Sequence, residues 1–155
     1  MTIKTPMEAF IDAEWNGYGG DLISLAMVAM DGREFYRAFP LFTGTKPWVA
    51  DNVIPVLRST GTAGKFAVID RKQLPFEIAE WLAPYDAVHL IADWPEDIER
   101  FCRALITGPG MRVDTPPLTM EVRRDLGSSD SEFPHNALAD ARAIRDLYLT
   151  MMGDV

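Results

Sequence analysis

The chain has 155 residues, of which 48% are hydrophobic and 25% charged. That is the size and composition of one globular domain with one sizeable core, and it excludes a disordered, fibrous or disulfide-stapled protein. Its 15 basic and 23 acidic residues leave a net charge of -8, which argues against gripping a long nucleic acid by blanket electrostatics.

Residues 1–155 read as a single domain, with no repeat, low-complexity tract or linker. Residues 7–13 carry Phe10 and Ile11 and predict a first strand. Gly17, Gly19 and Gly20 then mark a turn. Residues 22–30 (LISLAMVAM) are almost wholly apolar, Asp31-Gly32 is a hairpin signal, and residues 34–39 alternate. The expectation is a three-stranded antiparallel meander. Residues 47–57 start with a proline suited to a first helical turn, and Pro55 limits the helix. Residues 58–72 hold four basic side chains (Arg58, Lys65, Arg71 and Lys72) against one acid, Asp70, and read as a loop. Residues 73–82 space Leu74, Ile78, Trp81 and Leu82 as an amphipathic helix. Residues 87–92 (AVHLIA) are of buried-strand type. Residues 95–106 place Ile98, Phe101, Cys102 and Leu105 at helical spacing, and Gly108-Pro109-Gly110 ends that helix. Residues 111–134 are irregular, with a short element near 118–122. Residues 136–152 form a closing helix with Leu138, Ala141, Ile144, Leu147 and Tyr148 on one face. The order β-β-β-α-α-β-α-α makes this an α/β domain: a mixed sheet with helices packed on it.

Cys102 is the one cysteine, so no internal disulfide or cysteine-built metal site can form within a chain. Its helical flanks predict a small buried hydrophobe, and a reducing compartment fits best. The N-terminal MTIKTPMEAFIDAEW acquires acids early and reads as no signal peptide. No stretch approaches the roughly 18 apolar residues of a membrane span. Cytoplasmic location and no membrane partner are the expectations. Trp48, Trp81 and Trp94 are expected in the core, and Met27, Met30, Met151 and Met152 as packing.

Three segments concentrate acids. Asp12 and Glu14 lie two apart on a strand, so both project from one face. Uncompensated they repel, and a divalent cation between them removes the repulsion; a solvated strand face is the plainer alternative. In IADWPEDI, Asp93, Glu96 and Asp97 crowd a helix start, where the helix dipole favours negative charge and one acid serves as a cap. In PHNALADA, His135 precedes a helix and Asp140 follows inside its first turns.

Taken in this order, the segments FIDAEWNGYGGDLISLA, ADWPEDIERF and PHNALADA resemble the DEDDh 3′-5′ exonucleases of the ribonuclease H-like superfamily. These are the RNase T and oligoribonuclease-like enzymes, and the wording looks most like the small stand-alone exoribonuclease-like proteins of bacteria and phages. The family's DxE is matched by Asp12 and Glu14, and its HxxxxD by His135 and Asp140. The second motif departs from the pattern. Asp97 fits the catalytic Asp, and Asp93 stands where an Asn is usual. Asp93 is then a group acting on substrate or through water, or the ligand itself if the register differs by one turn.

The resemblance implies a ribonuclease H-like mixed sheet, three antiparallel strands followed by parallel ones, flanked by helices. It implies two Mg²⁺ or Mn²⁺ ions held by Asp12, Glu14, Asp97 and Asp140, since hard cations take oxygen ligands. His135 is the implied general base, a role suited to a group that ordinarily titrates near neutrality. Trp15 and Asn16, with Asp93, would contact a 3′-terminal nucleotide. The implied partner is single-stranded nucleic acid, RNA favoured, with residues 58–72, and more weakly Arg123 and Arg124, as phosphate contacts. A homodimer is expected. The rival functions are a DNA exonuclease, a catalytically silent nucleic-acid-binding module and a small-metabolite phosphoesterase. Four of the 23 acids would be ligands, so the acidic balance is compatible with capture of a short 3′ end.

Overall fold

The computed structural model describes residues 4–40, 44–59, 61–128 and 130–153. One six-stranded sheet organises them, in the order β4-β3-β2-β1-β5-β8. Strands β1 (Met7–Trp15), β2 (Leu22–Ala29) and β3 (Glu34–Ala38) form the antiparallel meander. β4 (Phe66–Val68) pairs parallel to β3; β5 (Val88–Ala92) pairs parallel to β1; β8 (Leu118–Val122) pairs parallel to β5. Every residue of β2 is buried, as its continuous apolar run requires of a strand covered on both faces.

Helices cover the two faces. α2 (Leu74–Leu82) and α3 (Pro95–Ala104) pack on the side of Ile11, Ala13, Leu25 and Met27, where Ile78, Leu82 and Phe101 are fully buried. α4 (Ala137–Gly153) covers the other side, with Leu138 and Ala141 against Ala26, Val28 and Tyr36, and Ile144 against Phe10 and Ile91. Each buried Leu, Ile, Val, Met or Phe among them contributes about 1.5–3 kcal/mol. The stripes expected on α2 and α4 are the ones that pack. α1 (Pro47–Asn52) closes a smaller cluster of Val49, Val53, Ile23 and Ala38. No helix among the described residues is long and apolar enough to cross a membrane.

Several expectations need correction. The helix expected over 47–57 is α1 followed by a 3-10 turn, Ile54–Val56; Pro55 has no N–H to continue the α pattern. The basic stretch 58–72, of which Thr60 lies outside the described residues, contains β4 and a 3-10 turn, Arg71–Gln73, capped by Asp70. Gly108-Pro109-Gly110 does not simply end α3; it turns a hairpin between β6 (Ile106–Gly108) and β7 (Met111–Arg112). Trp81 is buried, but Trp48 and Trp94 are about half exposed. Cys102 is exposed, with its Sγ 3.6 Å from Met120 Sδ. Met27 is buried and Met30 partly so, whereas Met151 and Met152 are exposed at the end of α4. The stripe expected on α3 packs at Phe101, Ile98 and Leu105 but not at Cys102, and Asp97 and Arg100 are buried beside it. Two charges on the inward face of a helix direct attention to what they meet.

Candidate metal centre

The centre lies where β1, the end of β5 and the starts of α3 and α4 converge. β1 runs two residues further than its apolar core suggests, which carries Glu14 into the strand opposite Ser24, as Asp12 is opposite Ala26. Its alternation sends Ile11 and Ala13 to the α2–α3 side, so Asp12 and Glu14 project together toward α4. The turn that follows depends on glycine. A Cβ on Gly20 would lie 2.0 Å from the Asn16 carbonyl oxygen, so the chain can reverse there only without a side chain.

Asp97 enters from α3. No side chain caps this helix, which starts with Pro95 after Trp94, so capping does not explain its acids. Asp97 Oδ1 instead accepts the Ala13 N–H at 3.0 Å, tying the helix start to β1 beside Asp12. Asp140 enters from α4. Asn136, fully buried, caps that helix: its Oδ1 accepts the Ala139 N–H at 3.0 Å while its Nδ2 donates to the Val56 carbonyl at 2.8 Å. Asp140 Oδ2 accepts the His135 N–H at 3.1 Å.

These acids form two trios. Asp12, Asp93 and Asp97 each bring one carboxylate oxygen within 4.8 Å of the others, and so do Asp12, Glu14 and Asp140. Asp12 belongs to both. Asp12, Asp97 and Asp140 are buried, at 8%, 2% and 5% exposure. Asp12 Oδ2 and Asp140 Oδ1 are sequestered from solvent and find no donor in hydrogen-bonding geometry.

The electrostatic consequence is large. Burial, reinforced by Asp97 and then Glu14, holds the Asp12 carboxyl well above the usual carboxylate range. Burial, then Asp140 and Asp97, pushes Glu14 up to about 9. Burial, then Asp93, pushes Asp97 to about 8 against the Ala13 hydrogen bond. Asp140 reaches about 6, burial outweighing the Ser131 hydroxyl and the His135 amide. Asp93 is raised by burial, with the nearby Arg124 opposing. Five carboxyls in such a space cannot all ionise near neutrality unless cations join them. The orphaned oxygens, their spacing and their all-oxygen chemistry fit hard divalent cations, one per trio with Asp12 shared.

His135 lies at the rim, half-buried. Among the described residues it is the one non-glycine with positive φ, at 70°, a conformation that costs about 1 kcal/mol. Its ring meets Trp48 of α1 edge-on at 5.0 Å between centroids. Trp15 and Asn16, expected against substrate, are otherwise engaged. The Trp15 ring packs on the main core, with the Arg100 guanidinium 5.4 Å from its centroid. The Asn16 amide accepts the Lys46 N–H at 2.8 Å and donates to the Gly44 carbonyl at 3.3 Å, fixing the approach to α1. Asp93 is brought to the acids, and its carbonyl accepts from Arg124, whose guanidinium lies 4.5 Å from the exposed Trp94 ring centroid.

Sequence reasoning missed Trp48, Asn136, Arg100 and the pairing of Trp94 with Arg124. Asn136 had a readable signal, an Asn directly before an apolar helix. The others depend on contacts across 30 to 87 residues. No protein-family model matches this sequence, and no curated protein matches it. A functional reading therefore draws on this geometry.

Proposed function

We propose that this protein is a divalent-metal-dependent 3′-5′ exonuclease of ribonuclease H-like fold, acting on single-stranded RNA ends. The observation that carries the reading is Asp12, a buried carboxylate with an orphaned oxygen that belongs to both acid trios. Phosphodiester hydrolysis develops charge on an attacking and a leaving oxygen, and two adjacent divalent cations offset both. Asp12, Glu14 and Asp140 would hold one ion, and Asp12, Asp97 and Asp93 the other.

The chain's own side chains supply the rest. His135, fixed at the rim by its N–H to Asp140 and by the Trp48 edge, accepts the proton of the attacking water. The water oxygen bonds to phosphorus, the bond from phosphorus to the 3′ oxygen breaks, and that oxygen takes up a proton. A 5′-mononucleotide leaves, and the strand is one unit shorter. The exposed Trp94, backed by Arg124, offers a base a stacking surface beside Asp93, a type of contact worth about 1–3 kcal/mol.

Digestion of 5′-labelled single-stranded RNA and DNA with Mg²⁺, wild type beside Asp12→Asn, tests this. The expected result is a ladder shortening from the 3′ end, faster on RNA and absent in the variant. No metal-dependent cleavage of either strand overturns the proposal. Equal or faster cleavage of DNA overturns the RNA preference.

A further inference from the structure

Behind Trp15, on the side of the sheet covered by α2 and α3, the fold gathers arginines. Arg100 is buried to 8% exposure; its Nη2 donates to Glu96 at 3.3 Å, and its Nε is sequestered from solvent and finds no acceptor. Arg71, from the 3-10 turn before α2, donates to the Leu22 carbonyl at 2.6 Å and lies over the Phe39 ring. Arg103, one turn beyond Arg100, stands at the mouth in an exposed pair with Glu99. All three line one open recess of about 220 Å³ with Asp21, Leu22 and Leu74. Three guanidiniums meet one lining acid, Asp21, while Arg100 and Arg103 each also hold an ion pair just outside the lining, with Glu96 and Glu99.

We propose that this recess binds a phosphate group. Guanidinium forks match phosphate oxygens, and an anion toward which the Arg100 side chain turns supplies the acceptor that its Nε lacks. A buried donor without an acceptor is costly, so binding removes a penalty as well as making contacts. The Glu99–Arg103 pair is solvated and yields readily to a stronger partner. Asp21 opposes the anion and sets the net gain. The recess shares its framework with the acid centre: Trp15 follows Glu14 on β1, and Arg100 is one turn after Asp97 on α3. The recess lies on the face of the sheet opposite the one to which Asp12 and Glu14 project, so a strand held at the acids has to pass round the sheet end to offer a second phosphate group here. Only this origin of the phosphate rests on the exonuclease reading; a free phosphate or nucleotide has the same chemistry.

The test is calorimetric and polarisation binding in EDTA, so that no cation takes part. The probes are inorganic phosphate and a labelled RNA pentanucleotide, applied to wild type, Arg103→Gln and Arg100→Gln, with circular dichroism as the folding control. Wild type should bind phosphate saturably, and Arg103→Gln, an exposed change that leaves the core intact, should weaken it about tenfold, the loss of one charge-assisted contact. Parallel weakening of the RNA probe assigns the phosphate to the strand. Weakening for inorganic phosphate alone assigns it to a free ligand. Phosphate binding that is absent in wild type, or unchanged in Arg103→Gln, overturns the proposal. The two readings separate cleanly: no metal-dependent cleavage with arginine-dependent phosphate binding sinks the exonuclease and keeps the recess. Cleavage with arginine-independent binding does the reverse.

Discussion

Two polar clusters on the same sheet differ in how their charges are answered. At the outer edge, His89 of β5 meets Thr119 through Nδ1 at 2.7 Å and Glu121 through Nε2 at 2.9 Å. Beside it Arg123 grips Asp125 with two nitrogens and lies over the Tyr148 ring. Each polar group meets a partner within the chain, and folding completes the arrangement by itself. At the opposite end of the parallel pair β1–β5, Asp12, Glu14, Asp93, Asp97 and Asp140 face one another. Their donors in hydrogen-bonding geometry are the Ala13 and His135 amides, with the Ser131 hydroxyl near Asp140, and two carboxylate oxygens are left orphaned. The first cluster needs nothing from outside the chain. The second is a destabilising arrangement unless a ligand of opposite sign completes it. Clustered charge alone therefore says little, and unanswered buried charge says where a ligand belongs.

The sharpest way to break this contrast is Asp12→Asn. Cleavage should fall by more than the roughly 100-fold that losing a ligand's supporting partner costs, while the melting temperature of the metal-free protein rises because a carboxyl that folding forces to stay protonated is gone. A gel ladder and a thermal melt read the two opposite signs. His135→Ala should slow single-turnover cleavage by about 10²–10⁴-fold with Mn²⁺ affinity retained. A wild-type rate in that variant would remove His135 as the base.

The pH dependence of stability follows from the raised acids. In the folded chain they keep protons that the unfolded chain releases near pH 4. Metal-free protein should therefore lose stability as pH rises from about 4, through the Asp140 and Asp97 ionisations near 6 and 8, until Glu14 ionises at about 9. Saturating Mg²⁺ should flatten that slope, as urea denaturation across pH would show. Asn136→Ala removes a cap and leaves buried groups unpaired, and should destabilise by about 1–3 kcal/mol in the same assay. Arg123→Ala, in the self-sufficient cluster, should change stability by less than about 1 kcal/mol and leave cleavage untouched.

The meander, α2 and α4 were legible because long apolar runs and helical periodicity report burial directly. Asp12, Glu14, Asp97, Asp93, His135 and Asp140 were picked out as a set through a family resemblance, and the fold brings the five acids together with His135 at their rim. β4 was not, because a three-residue strand is too short to show alternation. α3 was read in part: Phe101, Ile98 and Leu105 pack on the core as expected, but its first turn also faces an acid centre, so Asp97 and Arg100 are buried and Cys102 is exposed. Trp15 and Asn16 were expected against substrate, whereas their partners in the fold, Arg100 and the segment 44–46, come from distant parts of the chain.

The most direct measurement is the stoichiometry of Mn²⁺ binding at neutral pH, followed by electron paramagnetic resonance with a 5′-mononucleotide present, for wild type and Asp12→Asn. The expected result is two ions per wild-type chain, close enough for their spins to couple, and loss of the coupled pair in Asp12→Asn. Wild-type protein that binds no Mn²⁺, or a variant that binds the same coupled pair, would contradict a centre built on a shared Asp12.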